Sequence, residues 1–302
     1  MSEAKPHALL RPQIALPFVL VALIWGSTWY VITGQIAAVP PSWSIAYRFA
    51  LATPAIFAVA LAMRNPLRLT RGGHLLGVLL GITQFSGNFN FVYRAELHLT
   101  SGVVAVMFGM LMVPNALLAR WWLGQQVTPR FLLGSLVAIA GIALLLVHEA
   151  QVARLDGNVL LGVALAVGGI LSASIANVSQ GTETGRAQPM VTLLAYAMLY
   201  GTLIDIGLAW TLAGPPVFPA STAFWAGTAW LAFAGSVVTF PLYYGIIRAI
   251  GPGRAAYNGV LVIVIAMLVS TFVEGYEWSL LAVAGATLGI AGMIIALRAR
   301  QV

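Results

Sequence analysis

The feature that most constrains the fold of this chain is a series of apolar stretches, each about 20 residues long, separated by short turn-forming segments. A helix needs about 20 predominantly apolar residues to cross the roughly 30 Å hydrocarbon core of a bilayer. Ten stretches meet this requirement, at residues 14–35, 43–63, 74–93, 100–122, 129–148, 159–180, 190–212, 223–248, 254–273 and 279–298. The pattern predicts an all-α integral membrane protein with ten transmembrane helices.

The low content of charged residues supports this assignment. Only 8% of the 302 residues are charged, against roughly 25% in ordinary soluble domains, so the lipid bilayer is the expected surrounding. The net charge is +7, but the 15 basic residues are scattered singly instead of forming a patch. Nucleic acid is therefore not expected as a partner. Cysteine is absent, which excludes disulfides and thiol ligands for a metal.

Basic residues near the ends of the predicted helices set the expected orientation, because loops rich in Lys and Arg stay on the cytoplasmic side. With a cytoplasmic N-terminus, twelve basic residues fall on the inner side: Lys5, Arg11, Arg64, Arg68, Arg71, Arg120, Arg130, Arg186, Arg248, Arg254, Arg298 and Arg300. Only Arg94 and Arg154 then fall on the outer side. We predict a multi-pass protein of the bacterial inner membrane with both termini in the cytoplasm. The first apolar run is interpreted as a retained helix, since it is longer than the apolar part of a signal peptide.

An internal repeat divides the chain into two halves, residues 1–150 and 151–302. A shift of 151 residues places four glycines of the first half on four of the second: Gly102, Gly124, Gly134 and Gly141 on Gly253, Gly275, Gly285 and Gly292. Each half holds five predicted helices, so the second half enters the membrane from the opposite side. Inverted repeats are typical of secondary transporters, which expose a midplane site alternately to each side. Gene duplication in a membrane protein of another function is the alternative.

Short motifs carry a resemblance to a known family. They are the sequences ALIWGS at residues 22–27 and YRF at 47–49, and the closing stretches AGI at 140–142 and AGM at 291–293. With these motifs the chain resembles the drug/metabolite transporter superfamily, in its ten-helix EamA branch, over essentially its whole length. The resemblance implies export or exchange of metabolites driven by gradients, without ATP. Within that branch, the chain is most similar to the aromatic amino-acid exporters of the YddG type.

Residues that enzymes and pumps require are missing from the predicted spans. Asp205 is the only acid inside a span, which excludes an intramembrane protease that shares a proton between two aspartates. The four histidines lie at or beyond helix ends, and no cluster of metal ligands is evident. The sole lysine is Lys5 and no GxxxxGK[ST] motif occurs, which excludes a single-chain ATP-driven pump. We therefore expect no catalytic residues, no metal and no cofactor.

Polar and aromatic residues inside the spans form a candidate binding site. Gln84 and Asn88 lie one helical turn apart in the middle of the third span, and lipid does not accept amide side chains, so they face a cavity or bond to another helix. Trp25 lies near the bilayer centre, away from the interfaces where tryptophan usually anchors a helix. We predict one central cavity for a small neutral or zwitterionic solute with an apolar body. The predicted lining residues are Trp25, Gln84, Asn88, Tyr243, Tyr257 and Asn258.

Two charged residues lie inside the predicted spans, Arg48 in the second and Asp205 in the seventh. At 1.5 Å per residue, both lie about 10 Å from the same face of the membrane, close enough in depth to pair. Because intramembrane charges usually serve function, we predict a gate or an ion-coupling site here. The alternative is that Arg48 extends to the outer interface and Asp205 faces water. The scarcity of other cations disfavours phosphorylated substrates.

Together these features predict a secondary transporter that exports aromatic amino acids or other amphipathic metabolites by alternating access. Two alternatives stay open: a drug or nucleoside transporter of the same fold, and a membrane receptor or scaffold that transports nothing. A receptor has no need of polar residues at the midplane of both halves, so solute flux distinguishes the two classes.

Overall fold

The computed structural model describes residues 12–152, 158–250, 255 and 257–298. The described chain is helical, without a strand, and ten apolar helices occupy the predicted positions. They are α1 Pro12–Ala38, α2 Pro41–Ala62, α3 Arg71–Ala95, α4 Ser101–Leu123, α5 Pro129–Val152, α6 Val159–Ser179, α7 Met190–Ala213, α8 Thr222–Ala249, α9 Asn258–Glu274 and α10 Leu280–Arg298. The first eight are each long enough to cross a membrane and the last two are somewhat shorter. The ten-helix membrane fold is confirmed.

Helix ends follow from local side-chain chemistry. The Oγ1 of Thr70 accepts a hydrogen bond from the Gly73 amide at 3.0 Å and begins α3, and Asn158 caps α6 in the same way. Such caps satisfy amides that have no partner in the first turn. At the other end of two helices, Gly124 after α4 and Gly275 after α9 adopt left-handed φ angles of 67° and 70°, a conformation that glycine reaches without a steric penalty.

Small residues allow α5 and α10 to pack with their backbones in contact. A Cβ atom added to Gly141 would lie 2.3 Å from the Gly289 nitrogen, and one added to Gly292 would lie 2.2 Å from the Ala138 nitrogen. In lipid, where burial of apolar surface gives no net advantage, close approach of this kind holds helices together. Gly285 takes part in the same contact, since a Cβ added to it would lie 2.7 Å from the Gly141 carbonyl oxygen.

Two glycines of α3, four residues apart, pack against α7. Gly81 faces the Ala197 carbonyl and the Gly201 amide, and Gly77 faces the Tyr200 ring. Both glycines therefore allow α3 to approach α7 closely.

The helix contacts follow a regular pairing. α1 packs against α8 and α9, and α6 packs against α3 and α4. α2 packs against α7, and α5 against α10. If every helix number is advanced by five, the contacts of α1 become those of α6, and the α2–α7 and α5–α10 contacts map onto themselves. The arrangement leaves a central space bounded mainly by α1, α3, α4, α6, α8 and α9.

Three helices contain π-helical segments, in which the helix widens. These are Gly81–Asn88 in α3, Trp230–Val238 in α8 and Ser270–Glu274 in α9. π-helical turns are rare and occur often at functional sites. Two of them, in α3 and α8, contribute groups to the central site described below.

Candidate functional site

A cavity of about 150 Å³ lies at the centre of the helix bundle. Its lining combines aromatic rings, amide side chains and one cation. The main contributors are Trp25, Trp29, Arg48, Gln84, Asn88, Phe89, Phe108, Met112, Asn115, Asn177, Phe240, Tyr243, Asn258 and Val262. Cavities of similar size admit a molecule with a single aromatic ring.

The structure brings most of the predicted site residues together. Trp25, Gln84, Asn88, Tyr243 and Asn258 all line this cavity. The side chain of Tyr257 lies outside the described residues. The two predicted gate or coupling residues differ, since Arg48 lines the cavity and Asp205 does not.

Trp25 belongs to an aromatic cluster on one wall. Its ring lies edge-on to Tyr243 at 4.9 Å and to Phe240 at 5.6 Å between centroids. Its indole Nε1 donates to the Gly235 carbonyl at 3.3 Å. Because edge-to-face contacts and a hydrogen bond both fix the ring, Trp25 presents a rigid aromatic surface to the cavity.

Several polar atoms of the lining have no hydrogen-bond partner in the part of the chain that the structure describes. The side-chain oxygens of Asn88, Asn115 and Asn258, and the indole nitrogen of Trp29, are buried and form no hydrogen bond with any described residue. The Asn258 amide nitrogen, by contrast, donates to the Phe18 carbonyl at 2.5 Å. Buried polar groups normally find partners, and several unpartnered atoms are grouped around this cavity.

Arg48 is buried, with 2% of its surface exposed. Its Nε donates to Ser236 Oγ at 3.0 Å, and its terminal nitrogens donate to the Tyr93 hydroxyl and the Gly235 carbonyl, each at 3.2 Å. The guanidinium carbon also lies 4.4 Å from the centre of the Phe89 ring. The alternative in which Arg48 extends to the membrane interface is therefore wrong.

Asp205 belongs to a separate polar network. Its Oδ1 accepts hydrogen bonds from Ser86 Oγ at 2.6 Å and from Asn90 Nδ2 at 2.8 Å. Arg94 donates to Asn90 Oδ1 at 2.6 Å and to Ser42 Oγ at 2.8 Å, so the network joins α7, α3 and α2.

The pairing of Arg48 with Asp205, which their similar depth suggested, is not formed. The guanidinium of Arg48 is directed to the π-helical segment of α8, while Asp205 faces the side of α3 that carries Ser86 and Asn90. Depth along a helix does not determine in which direction around the helix axis a side chain points, so the sequence could not show that these two residues face different neighbours.

The cavity also contains aromatic residues outside the predicted set, chiefly Trp29, Phe108 and Phe240. Trp29 packs on Phe108 with 5.2 Å between ring centroids. The spacing of Trp29 from Trp25 offered a signal, because residues four apart lie on the same helix face. Phe108 and Phe240 carried no comparable signal within otherwise apolar helices.

Comparison with known proteins agrees with this architecture. Residues 13–147 match the EamA-like transporter family. The chain is 23% identical over 270 residues to the protein PagO of Salmonella typhimurium, a match that covers 89% of this chain and 88% of PagO. It is 21% identical over 126 residues, 42% of each chain, to an uncharacterized transporter of Buchnera aphidicola.

The fold is shared with a solved crystal structure that is 19% identical, with a TM-score of 0.67 over 95% of this chain and 96% of the other. One of the two relatives, the Buchnera aphidicola protein, is named as a transporter. The first half of the chain is thus similar to the EamA-like transporter family, and most of the chain is similar to PagO.

Proposed function

We propose that this transporter exports aromatic amino acids, or small zwitterionic solutes of similar shape, through the central cavity. The observation that carries the proposal is the composition of the cavity lining. Aromatic rings such as Trp25 and Tyr243 suit an apolar body, while amides such as Gln84 and Asn88 suit a polar end. Offset and edge-on ring contacts contribute about 0.5–1.5 kcal/mol each beyond burial, and a hydrogen bond about 1 kcal/mol net.

The size of the cavity favours a metabolite over a large drug. A volume of about 150 Å³ suits one aromatic ring with a short polar substituent. Nucleosides join a base to a ribose and are therefore bulkier than an amino acid with one aromatic ring. Amino acids therefore remain the first choice.

Alternating access is the proposed mechanism, with residues 1–150 and 151–302 as two inverted repeats. Two sets of equivalent positions support this division. Gly124 and Gly275, which are 151 residues apart, both end a helix in the left-handed conformation. The π-helical segments of α3 and α8 also fall at nearly equivalent positions, Gly81–Asn88 and Trp230–Val238. The pairing of helices supports a twofold relation that exposes the cavity to one side at a time.

The driving force is proposed to be a solute or ion gradient, because the sequence contains no nucleotide-binding motif. We place the protein in the bacterial inner membrane with both termini cytoplasmic, on the strength of the arginine distribution.

Asp205 is proposed as a gate or coupling group. Its network with Asn90 and Arg94 ties three helices together near the ends of α2 and α3. Any motion that separates these helices must break it.

Counterflow in proteoliposomes tests the proposed function. Vesicles loaded with unlabelled tryptophan, phenylalanine or tyrosine should accumulate the labelled amino acid, and empty vesicles should not. Vesicles that exchange nucleosides or cationic dyes but ignore all three amino acids would overturn the substrate assignment. Vesicles that exchange no solute of any of these classes would favour a receptor or scaffold.

A further inference from the structure

Arg48 retains unused hydrogen-bond donors inside the membrane. A guanidinium carries five N–H groups, and the described contacts use three of them, on Ser236, Tyr93 and Gly235. All three acceptors are neutral. Two N–H groups therefore remain on a side chain that also lines the cavity.

No acid among the described residues lies within ion-pair distance of Arg48. The acid at similar depth, Asp205, bonds to Ser86 and Asn90 instead. The Phe89 and Phe49 rings, 4.4 and 5.4 Å from the guanidinium carbon, offset part of the positive charge. Burial of a charge without an opposite charge is unfavourable, and intramembrane cations usually face a functional partner.

We infer that Arg48 binds the carboxylate of the transported solute, an inference that rests on the proposed function of the cavity. A carboxylate matches the planar guanidinium and accepts two parallel N–H bonds. Arg48 is the only charged residue of the cavity lining within the described chain, and one cation balances one carboxylate. A phosphate monoester would bring about two negative charges and lack a second cation.

A matched series of indoles tests the carboxylate on the intact, detergent-solubilised protein. Tryptophan, 3-indolepropionate, tryptamine and tryptophol share the ring, but only the first two carry a carboxylate. In competition against labelled tryptophan, the affinity for 3-indolepropionate should lie within about tenfold of the affinity for tryptophan. The affinities for tryptamine and tryptophol should be lower by about tenfold or more, which is the loss expected for a charge-assisted hydrogen bond.

Variants then assign the preference to Arg48. In R48Q the two carboxylate ligands should lose affinity, so that the four indoles bind within about threefold of one another, given that no cation remains. R48K should recover part of the preference, because it keeps the charge but not the planar fork. Y93F and S236A remove neutral partners of Arg48 while keeping the cation, and both should retain the preference for a carboxylate.

The outcomes separate the two proposals. If tryptophol binds wild-type protein as tightly as tryptophan, the inference is overturned while the cavity keeps its role for aromatic solutes. This comparison needs no variant, so it decides the matter even if R48Q does not fold. If no indole binds and no aromatic amino acid is exchanged, the proposed function fails, and the inference with it.

Discussion

The carbonyl of Gly235 is the point at which two important side chains of the cavity meet. Trp25 Nε1 and an Arg48 terminal nitrogen donate to it at 3.3 and 3.2 Å. Gly235 lies in the π-helical segment of α8, where the widened turn presents a backbone acceptor to the interior. One backbone atom thus sets the positions of both the proposed aromatic contact and the proposed carboxylate ligand.

Glu96, in the loop after α3, offers a test of electrostatics away from the cavity. It is 5% exposed, and neither carboxyl oxygen has a hydrogen-bond partner among the described residues. Burial, and secondarily the charge of Glu274, raise the pKa of Glu96 well above its ordinary value. The folded state therefore binds this proton more tightly than the unfolded state, and stability falls as pH rises above the ordinary carboxyl pKa.

E96Q removes this ionisation with little change of size. We expect the variant to melt close to wild type near pH 5 and above wild type at pH 8, because the cost of ionising Glu96 is gone. The difference in unfolding free energy between E96Q and wild type should grow by at most about 1.4 kcal/mol per pH unit. Thermal melting in detergent measures this difference, with E183Q as control at Glu183, an exposed residue of the short helix Glu183–Ala187. Melting temperatures of E96Q and wild type that stay parallel from pH 5 to 8 would contradict the assignment.

Prediction from sequence succeeded for residues whose chemistry conflicts with lipid. Gln84 and Asn88 are amides in an apolar helix, which is why a cavity was expected around them, and they lie at one. The partners of Arg48 were not predictable in this way. They depend on how α8 crosses α2, a tertiary contact between residues 188 positions apart that no local pattern encodes.

At the scale of elements, glycine contact between α5 and α10 determines how closely the halves approach. Gly141 and Gly289 face each other there but differ in the space around them. A Cβ on Gly141 would meet the backbone of α10, whereas one on Gly289 would meet nothing within 4 Å.

G141A should therefore destabilise the protein, since the two backbones must separate. Overpacking of this kind costs about 1–3 kcal/mol, which lowers the melting temperature of a chain of this length by roughly 2 °C or more. G289A adds the same methyl group to open space and serves as the matched control. Equal melting temperatures for the two variants would show that the helices do not approach as closely as described.

The Asp205 network predicts a second effect at this scale. In D205N the oxygen that accepts from Ser86 and Asn90 becomes a neutral amide oxygen, so these hydrogen bonds weaken and α7 should separate from α3 more readily. Since the chain has no cysteine, a single cysteine at Val92, which lines the cavity, reports opening. We expect a maleimide to modify V92C several-fold faster in the D205N background.

The control for this experiment is T211V, on the same helix, where the hydroxyl bonds only to the preceding turn of α7. Unchanged labelling of V92C in D205N would argue against a gating role for Asp205.

The positions of the helices were predictable because hydropathy and turn residues determine where a span begins and ends. Pro41 begins α2, and Gly124 and Gly275 end α4 and α9, the positions that proline and glycine usually take at helix ends. The π-helical segments were not predicted. Gly81–Asn88 reads as ordinary helix in sequence, since the widening arises from packing against neighbours.

At the scale of the whole molecule, the proposed orientation gives a clear accessibility prediction. Two exposed arginines mark the predicted cytoplasmic side: Arg71 at the start of α3, and Arg186 in the connection between α6 and α7. Single cysteines at these positions should be protected from an impermeant reagent in intact cells, and a cysteine at Pro215, between α7 and α8, should react. The reverse pattern would place the termini outside the cytoplasm.

The most direct test of the account is tryptophan counterflow with variants of the cavity wall. W25A and N88A each remove one proposed contact, worth about tenfold in apparent affinity. L23A and I82A, on the outward faces of the same two helices, are the matched controls. At subsaturating tryptophan, we predict initial rates about tenfold lower for W25A and N88A, at wild-type expression and monodispersity, and unchanged rates for L23A and I82A. Normal counterflow by both W25A and N88A would contradict the claim that this cavity is the transport site.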